Sequence, residues 1–205
     1  MKVAVIGAGG VGGYFGARLA QAGHDVTFVA RGRHLAAIRE HGLAIESALG
    51  DAAVRCPATD DLSALGPVDV AMLCVKLWDV EATAPRLAGI VSNGGVVIPF
   101  QNGVESADRV AALLGPSHVL GGVAYIAATI RAPGVIAHTG TMARLRVGAF
   151  PGGPEDRAAA FADACRSAGV EIEHAPDIRR ALWEKFVFHA SLSGITPAAR
   201  SPIGV

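Results

Sequence analysis

The sequence predicts an α/β protein with a doubly wound, mostly parallel sheet, followed by the start of an all-α domain. Short apolar runs alternate with helical patterns along most of the chain, and a glycine-rich turn directly follows the first apolar run. Hydrophobic residues make up 51% of the 205 residues and charged residues 18%. This composition is typical of a parallel sheet that helices cover on both faces. The length allows one domain and part of a second.

The glycine-rich turn is the first functional motif. An apolar strand at 3–6 is followed by Gly7, Gly9 and Gly12, and Val11 begins a helical pattern. Gly7 permits the sharp exit from the strand, Gly9 the close approach of a pyrophosphate, and Gly12 the packing of the helix against the sheet. Free N–H groups in the first turn of that helix would face the phosphates. The order of strand, turn and helix therefore predicts a Rossmann-type, dinucleotide-binding unit.

The end of the second strand predicts which dinucleotide is bound. A helix over 11–22 leads to a strand over 25–30, which runs into Arg31 and Arg33 without an acidic residue. An acid at this position selects NAD, whereas an arginine accommodates the 2′-phosphate of NADP. The sequence therefore predicts NADPH/NADP+ as the cofactor, with Arg31 at the phosphate. The alternative is that both arginines are solvated loop charges.

Two buried strands in the middle of the chain each deliver a polar residue to the same sheet edge. The run over 68–75 ends at Lys76, and the run over 95–100 leads to Asn102. Ligands of open α/β sheets bind outside the carboxyl ends of the strands, so both side chains are candidates to bind cofactor and substrate. The alternatives are a snorkelling strand-end lysine for Lys76 and an ordinary Asn-Gly turn for Asn102.

The remaining elements follow from local patterns. The predicted helices are 34–41, 79–91 with a break near Pro85, 105–114 and 155–168. The predicted short strands are two within 43–56, then 135–138, 144–150 and 170–173. A polar segment at 139–141 separates two of these strands, which predicts that the sheet finishes with antiparallel strands.

A change of pattern after residue 175 predicts a domain boundary, with an NADP-binding domain over 1–175 and the first helical segment of an incomplete substrate and dimerisation domain over 176–205. A helix with a broad apolar face begins near Ile178. Lys185 lies on this helix among aromatic residues, where a lowered pKa would suit a proton donor. The alternative is an exposed helix lysine beside Glu184.

Composition excludes several classes of partner. The chain has 18 basic and 18 acidic residues, so no global field predicts binding to nucleic acid or to a membrane surface. No apolar run approaches the ~18 residues needed to cross a bilayer. Cys56, Cys74 and Cys165 are widely spaced and match no metal-binding pattern, which predicts no metal and a reduced, cytoplasmic protein.

Taken together, these motifs resemble the ketopantoate reductase family over all 205 residues. The resemblance is carried by the glycine turn, Arg31, the lysine of Cys-Val-Lys76, Gln-Asn102-Gly and Trp-Glu-Lys185. It implies NADPH-dependent reduction of the 2-ketoacid 2-dehydropantoate to (R)-pantoate, a step of pantothenate and coenzyme A biosynthesis. It also implies that Lys185 is the catalytic acid, and that Lys76 and Asn102 help to bind substrate and cofactor. Lys76 is the second catalytic candidate, because its ammonium could hold the substrate carboxylate or support the developing alkoxide.

The chain departs from the family pattern in two places. His189 and Ser193 stand on the helical face of Lys185 where the family usually carries asparagine, and we expect them to contact the substrate. Family members are also usually about half as long again. The apolar face over 178–195 therefore predicts a homodimer or a covering chain, unless the sequence is a fragment of a longer protein. Two alternatives therefore stay open. One is a reductase of a different keto or hydroxy substrate, and the other is an NADPH-binding module that lacks turnover unless another chain completes it.

Overall fold

A computed structural model describes residues 1–202 and shows two sheets. The first sheet consists of β1 Lys2–Ile6, β2 Asp25–Val29, β5 Ala58–Thr59, β6 Val70–Leu73 and β7 Val96–Pro99. Its strand order is β5-β2-β1-β6-β7, and every neighbouring pair is parallel. The predicted parallel α/β fold is therefore confirmed, with the carboxyl ends of β1, β2, β6 and β7 at one edge.

Successive side chains of β1 point to opposite faces of the sheet, and all of those in the core are apolar. This explains why helices cover both faces. Val3 and Val5 point into one apolar cluster, whereas Ala4 and Ile6 point into another, and each is at most 1% exposed. The helices are α1 Gly10–Gln21, α2 Gly32–His41, α3 Val80–Thr83, α4 Ala88–Val91, α5 Ser106–Leu114, α6 Glu155–Ser167 and α7 Ile178–Ala199. A 3-10 turn, Ala84–Leu87, separates α3 from α4, because Pro85 lacks the N–H that a continuous helix needs.

The second sheet holds the strands that the first does not use. It contains β3 Leu43–Ser47, β4 Ala52–Val54, β8 Gly121–Ala132, β9 Val135–Gly148 and β10 Glu171–His174. The order is β10-β9-β3-β4, and β8 pairs antiparallel with β9. This second sheet is mixed, because β3 pairs antiparallel with β4 whereas β9 is parallel to both β3 and β10. The predicted antiparallel strands therefore lie in a sheet separate from the parallel one.

The prediction of two strands separated at 139–141 is wrong, because β9 is one continuous strand. Its register against β8 pairs Ala128 with His138 and Ile126 with Ala143. The intervening residues of β9 form a bulge opposite a single residue of β8, and Gly140 adopts a φ of 75° there. Such a bulge accommodates polar, exposed residues without ending the pairing.

The last helix, α7, is confirmed, but only its beginning is packed. Asp177 accepts a hydrogen bond from the N–H of Arg180 and so caps the helix. Ile178, Ala181 and Leu182 pack against Val123 of β8. Further along the helix, four large apolar side chains are 50–65% exposed: Trp183, Val187, Phe188 and Ile195. The division of the chain after residue 175 stays a prediction, and the last three residues of its second part lie outside the described residues. No helix within 1–202 is long and apolar enough to cross a membrane.

Candidate active site

The glycine turn between β1 and α1 has the geometry of a phosphate-binding loop. Gly7 adopts a φ of 105°, and a Cβ on it would lie 2.9 Å from the backbone of Cys74. A Cβ on Gly12 would lie 2.3 Å from the carbonyl oxygen of Gly7. Nothing lies within 4 Å of the position a Cβ would take on Gly9. Packing therefore explains Gly7 and Gly12, whereas Gly9 leaves open space for a ligand.

The start of α1 is suited to an anion. Gly9 precedes the helix without any side-chain cap, and the first turn, which contains Val11, has no acidic residue. Its free N–H groups and the positive end of the helix dipole therefore have no anionic partner within the described chain. The residues present fit the pyrophosphate of a dinucleotide.

The glycine turn packs against the hairpin formed by β8 and β9, a contact that the sequence did not reveal. A Cβ on Gly10 would lie 2.0 Å from the carbonyl oxygen of Ala128, so β8 runs directly against the start of α1. His34 bridges the same two parts, because its Nδ1 accepts the N–H of Gly134 at 3.0 Å and its Nε2 lies 2.8 Å from the carbonyl oxygen of Ala8. The first contact fixes the neutral tautomer, in which Nε2 carries the proton and donates to Ala8.

Arg31 lies where the sequence placed it, at the end of β2 and immediately before α2. It lines a cleft of ≈ 280 Å³ together with Gly9, Lys76 and Arg86. Two carboxylates also line this cleft, Asp60 and Asp79, and Asp60 is paired with Arg39 at 3.5 Å. The cations at the cleft suit a phosphate, and the residues directly after β2 include no carboxylate that would repel one.

A second cleft of ≈ 590 Å³ continues the first, since Gly9 and Lys76 line both. Val11 and Asn102 lie along it. We call the two clefts together the cofactor groove. Cys74 also lines the groove, and burial raises the pKa of its thiol to about 12, so it stays protonated and unreactive.

Gln101 holds the two strand ends of this groove together. Its Nε2 donates to the carbonyl oxygens of Leu73 at 2.8 Å and Val75 at 2.9 Å. Gln101 follows β7 and its acceptors lie at the end of β6, so the side chain fixes Lys76 and Asn102 relative to each other. Gln101 is part of the sequence motif Gln-Asn-Gly. Its structural role became visible only in the fold, because its hydrogen-bond acceptors lie on the neighbouring strand.

Lys185 extends from α7 to Asn102, which lines the groove. Its Nζ donates to the Oδ1 of Asn102 at 2.8 Å and to the carbonyl oxygen of Ala124 at 2.6 Å. It also lies 5.7 Å from the ring centroid of Tyr125. Burial lowers the pKa of Lys185 to about 8, because the charged ammonium loses hydration. The structure thus brings together Lys185 and Asn102, which the sequence predicted separately.

The other predicted site residues are placed differently. The exposed Lys76 ammonium makes no hydrogen bond within residues 1–202 and lies in both clefts of the groove. His189 lines an adjoining cleft of ≈ 350 Å³, which we call the outer cleft and which consists of Leu77, Asn102, Gly103, Val104, Glu105, Phe186 and His189. Ser193 is exposed one turn further along α7 and is not part of this lining. Its substrate contact stays a prediction.

The fold and the groove define a class of protein, namely one with a dinucleotide-binding sheet of Rossmann type. The sequence pattern of the family described as ketopantoate reductase PanE/ApbA matches residues 3–152. The chain belongs to the ketopantoate reductase family. It is 31% identical over 204 residues to an uncharacterized oxidoreductase of Bacillus subtilis, YkpB, and covers 67% of that protein.

Solved structures agree with this assignment. A 2-dehydropantoate 2-reductase of Porphyromonas gingivalis superposes with a TM-score of 0.88 at 31% identity, covering 100% of this chain and 74% of that one. A D-mandelate dehydrogenase, solved with NADH and anilino(oxo)acetate, gives a TM-score of 0.86 at 22% identity, covering 96% and 64%. At the lower identity the likeness shows the fold alone. The chain spans about two thirds of the length of its relatives.

Proposed function

We propose that the chain carries the cofactor site and the proton donor of an NADPH-dependent 2-ketoacid reductase, with 2-dehydropantoate as its substrate and (R)-pantoate as its product. The observation that carries this proposal is the contact between Lys185 and Asn102 at the end of the cofactor groove. It puts a half-buried ammonium beside the place where a nicotinamide ring would lie if the pyrophosphate sat on the glycine turn.

Arg31 supports NADPH as the cofactor. A D-mandelate dehydrogenase of the same fold was solved with NADH, so the fold by itself does not choose between the two dinucleotides. We expect the residue after β2 to determine this preference. The guanidinium of Arg31 carries a permanent charge and can donate two parallel hydrogen bonds to a 2′-phosphate. Arg86 and Lys76 line the same cleft and add to its positive character.

The chemistry needs one proton donor and one anchor for the substrate carboxylate. When bound, the reduced nicotinamide supplies a hydride to the keto carbon, and negative charge develops on the carbonyl oxygen. Lys185 donates its proton to that oxygen, so the product is a hydroxyl group and the lysine is left neutral. Lys76, whose ammonium is free of other partners within the described chain, holds the carboxylate.

The two contacts of Lys185 prepare it for this role. Asn102 and the carbonyl oxygen of Ala124 fix the direction of Nζ, while burial lowers the pKa of Lys185 to about 8. An acid with a pKa near the working pH both holds its proton in the resting state and releases it easily. Solvent restores the proton after turnover.

The wider role follows from the same proposal. The substrate and product place the reaction in pantothenate and coenzyme A biosynthesis, as the family name of the relatives suggests. The exposed apolar side chains of α7, among them Trp183 and Phe188, favour a covering protein surface over residues 178–195, from a second copy, another chain or a further segment of the same protein. We infer that residues 176–202 belong to the domain which that surface completes.

The test is to mix the purified protein with NADPH and 2-dehydropantoate and to follow the loss of NADPH absorbance. We expect turnover with NADPH, and much weaker turnover with NADH. NADPH binding without turnover on any 2-ketoacid would support the alternative of a binding module. Turnover on other 2-ketoacids but not on 2-dehydropantoate would support the alternative substrate, which the departures at His189 and Ser193 motivate.

A further inference from the structure

Lys185 lies just beyond the part of α7 that apolar packing holds in place. Ile178, Ala181 and Leu182 are buried against the second sheet, whereas Phe188 is 65% exposed. Apolar contacts within residues 1–202 therefore fix the start of the helix more firmly than the turn that carries the lysine. A directed proton donor needs a further contact that holds this turn against the sheet.

Arg146 supplies such a contact from the face of the second sheet on which α7 packs. The strand register places Val123, Arg146 and Glu173 in one row across β8, β9 and β10. The Nε of Arg146 donates to the Oε2 of Glu173 at 2.7 Å, and its Nη1 donates to the Oε2 of Glu184 at 2.9 Å. The guanidinium thus joins the sheet to the residue that directly precedes Lys185.

The bridge that Arg146 forms is more protected than the other ion pairs of the structure. Its side chain is 19% exposed, whereas every other arginine that forms an ion pair within residues 1–202 is at least 36% exposed. Exposed pairs contribute little, because water and salt screen them. A half-buried guanidinium that meets two carboxylates with its rigid, planar donors holds them more firmly.

Glu184 is committed to arginines and leaves the neighbouring lysine free. Besides the contact with Arg146, its Oε1 accepts a hydrogen bond from the Nε of Arg180 at 2.9 Å. Hydrogen bonds from Arg180 and Arg146 lower the pKa of Glu184, so its carboxylate stays ionised and bound to the guanidiniums. Within the described chain Glu184 forms no ion pair with Lys185, whose ammonium points to Asn102 instead.

Tyr125 forms a second link between Arg146 and the proton donor. The centroid of its ring lies 5.9 Å from the Cζ of Arg146, 4.9 Å from the Cζ of Arg144 and 5.7 Å from the Nζ of Lys185. The electron-rich ring attracts all three cations. The other charged and titratable groups around the lysine are Glu184 and His189 on α7 and, in the clefts that Asn102 lines, Lys76 and Glu105.

We propose that Arg146 is a positioning residue for the proton donor, which holds α7 through Glu184 and the ring beside the lysine through Tyr125, so that the ammonium stays directed at Asn102. This inference rests on the proposed function, because it assumes that Lys185 donates the proton. Arg146 is not among the residues that line the cofactor groove. Without its bridge, the turn of α7 that carries Lys185 loosens, and the lysine exchanges buried contacts for water.

The experiment follows Lys185 by two readouts in the full-length protein. One is kcat against pH with saturating NADPH and 2-dehydropantoate, and the other is NMR titration of the Lys185 Cε signal. Both should show a transition near pH 8 in the unaltered protein. Arg146→Gln should lower kcat by about 10- to 100-fold, since a small misplacement of a catalytic group costs that much, and should leave the KM for NADPH nearly unchanged.

The pH readout separates positioning from a loss of stability. In Arg146→Gln the transition should move to a pH about one unit higher or more, because a hydrated lysine titrates closer to its ordinary value of 10.5. Arg146→Lys keeps the charge and can still reach one carboxylate, so it should restore part of kcat. If Arg146→Gln unfolds, Glu184→Gln weakens the same bridge from α7 and leaves the pair of Arg146 with Glu173 in place.

Two controls use the other arginines of α7. Arg180→Gln removes the second partner of Glu184, but this partner is 77% exposed and lies on the same helix, so neither kcat nor the transition should change. Arg179→Gln breaks the pair with Asp108 at 3.2 Å, which ties the start of α7 to α5. It should lower the resistance to urea while the transition stays near pH 8.

The outcomes distinguish this inference from the function on which it rests. A transition that stays near pH 8 in both Arg146→Gln and Glu184→Gln, or that moves equally in Arg180→Gln, overturns the role of Arg146 while leaving the proposed function standing. Absence of turnover in the unaltered protein with every 2-ketoacid would contradict the proposed function instead. The NMR titration would then still decide whether Arg146 keeps Lys185 in its buried position.

Discussion

Lys185 and Asn102 stand 83 positions apart in the sequence, and the Nζ of the lysine lies 2.8 Å from the Oδ1 of the asparagine. One residue comes from the first packed turns of α7 and the other from the end of β7. The contact joins the parallel sheet to the last helix at the mouth of the cofactor groove. It fixes the direction of the Lys185 ammonium, as the proposed role of proton donor requires.

The titration of Lys185 predicts how the rate depends on pH. Because burial lowers the pKa of Lys185 to about 8, the protonated donor is present below that pH and is lost above it. We expect kcat for ketoacid reduction to fall as the pH rises through about 8. The measurement is a pH profile of kcat under saturating NADPH and substrate.

Lys185→Arg is the matched control for this profile, because arginine stays protonated over the whole range. We expect a large drop in kcat and disappearance of the high-pH decline. If the decline persists unchanged in the arginine variant, another group is responsible for it. Since the folded-state pKa lies below the ordinary 10.5, the free energy of unfolding should also rise between about pH 8 and 10.5.

Arg31 is expected to decide the preference for NADPH over NADH. Arg31→Ala removes a charge-assisted contact with the 2′-phosphate and should weaken NADPH binding by roughly 10- to 100-fold, with little effect on NADH. Arg33→Ala is the matched control, since Arg33 is equally exposed but does not line the cleft. Dissociation constants from calorimetry test this, and equal losses for both dinucleotides would remove Arg31 from the phosphate site.

Two glycines of the turn are expected to respond oppositely to alanine. Gly12→Ala places a Cβ 2.3 Å from the carbonyl oxygen of Gly7 and should lower the free energy of unfolding by about 1–3 kcal/mol or more. Gly9→Ala meets no atom within 4 Å, so the fold should keep its stability while NADPH binding weakens. Urea unfolding and calorimetry separate the two effects, and unchanged NADPH affinity in Gly9→Ala would contradict the placement of the pyrophosphate.

His34 is expected to act on cofactor binding through the position of the glycine turn. His34→Ala removes the bridge from Ala8 to Gly134 and should weaken NADPH and NADH binding by similar factors, about tenfold each. His41→Ala, on the same helix but with a mostly exposed side chain, should change neither affinity. A loss confined to NADPH would mean that His34 contacts the 2′-phosphate directly instead of holding the turn.

The sequence was sufficient for the elements whose signals are local. The apolar runs that became β1, β6 and β7, the order of strand, glycine turn and helix, and the break at Pro85 each depend on a few neighbouring residues. The interruption predicted in β9 failed for the opposite reason. Polar residues after His138 look like a loop on their own, but pairing with β8 continues on both sides of them and leaves only a bulge.

The sequence alone determined the class of fold and the positions of the glycine turn and of the polar residues at the strand ends, because strand periodicity and turn chemistry depend on consecutive residues. It also predicted a dinucleotide site at Gly7, Gly9 and Gly12. Only the tertiary structure decided which of these residues meet. The pairing of Lys185 with Asn102, the clamp of His34 on Ala8, and the apolar wall of the outer cleft all join distant segments. Their distances depend on how helices and sheets pack, which local patterns do not encode.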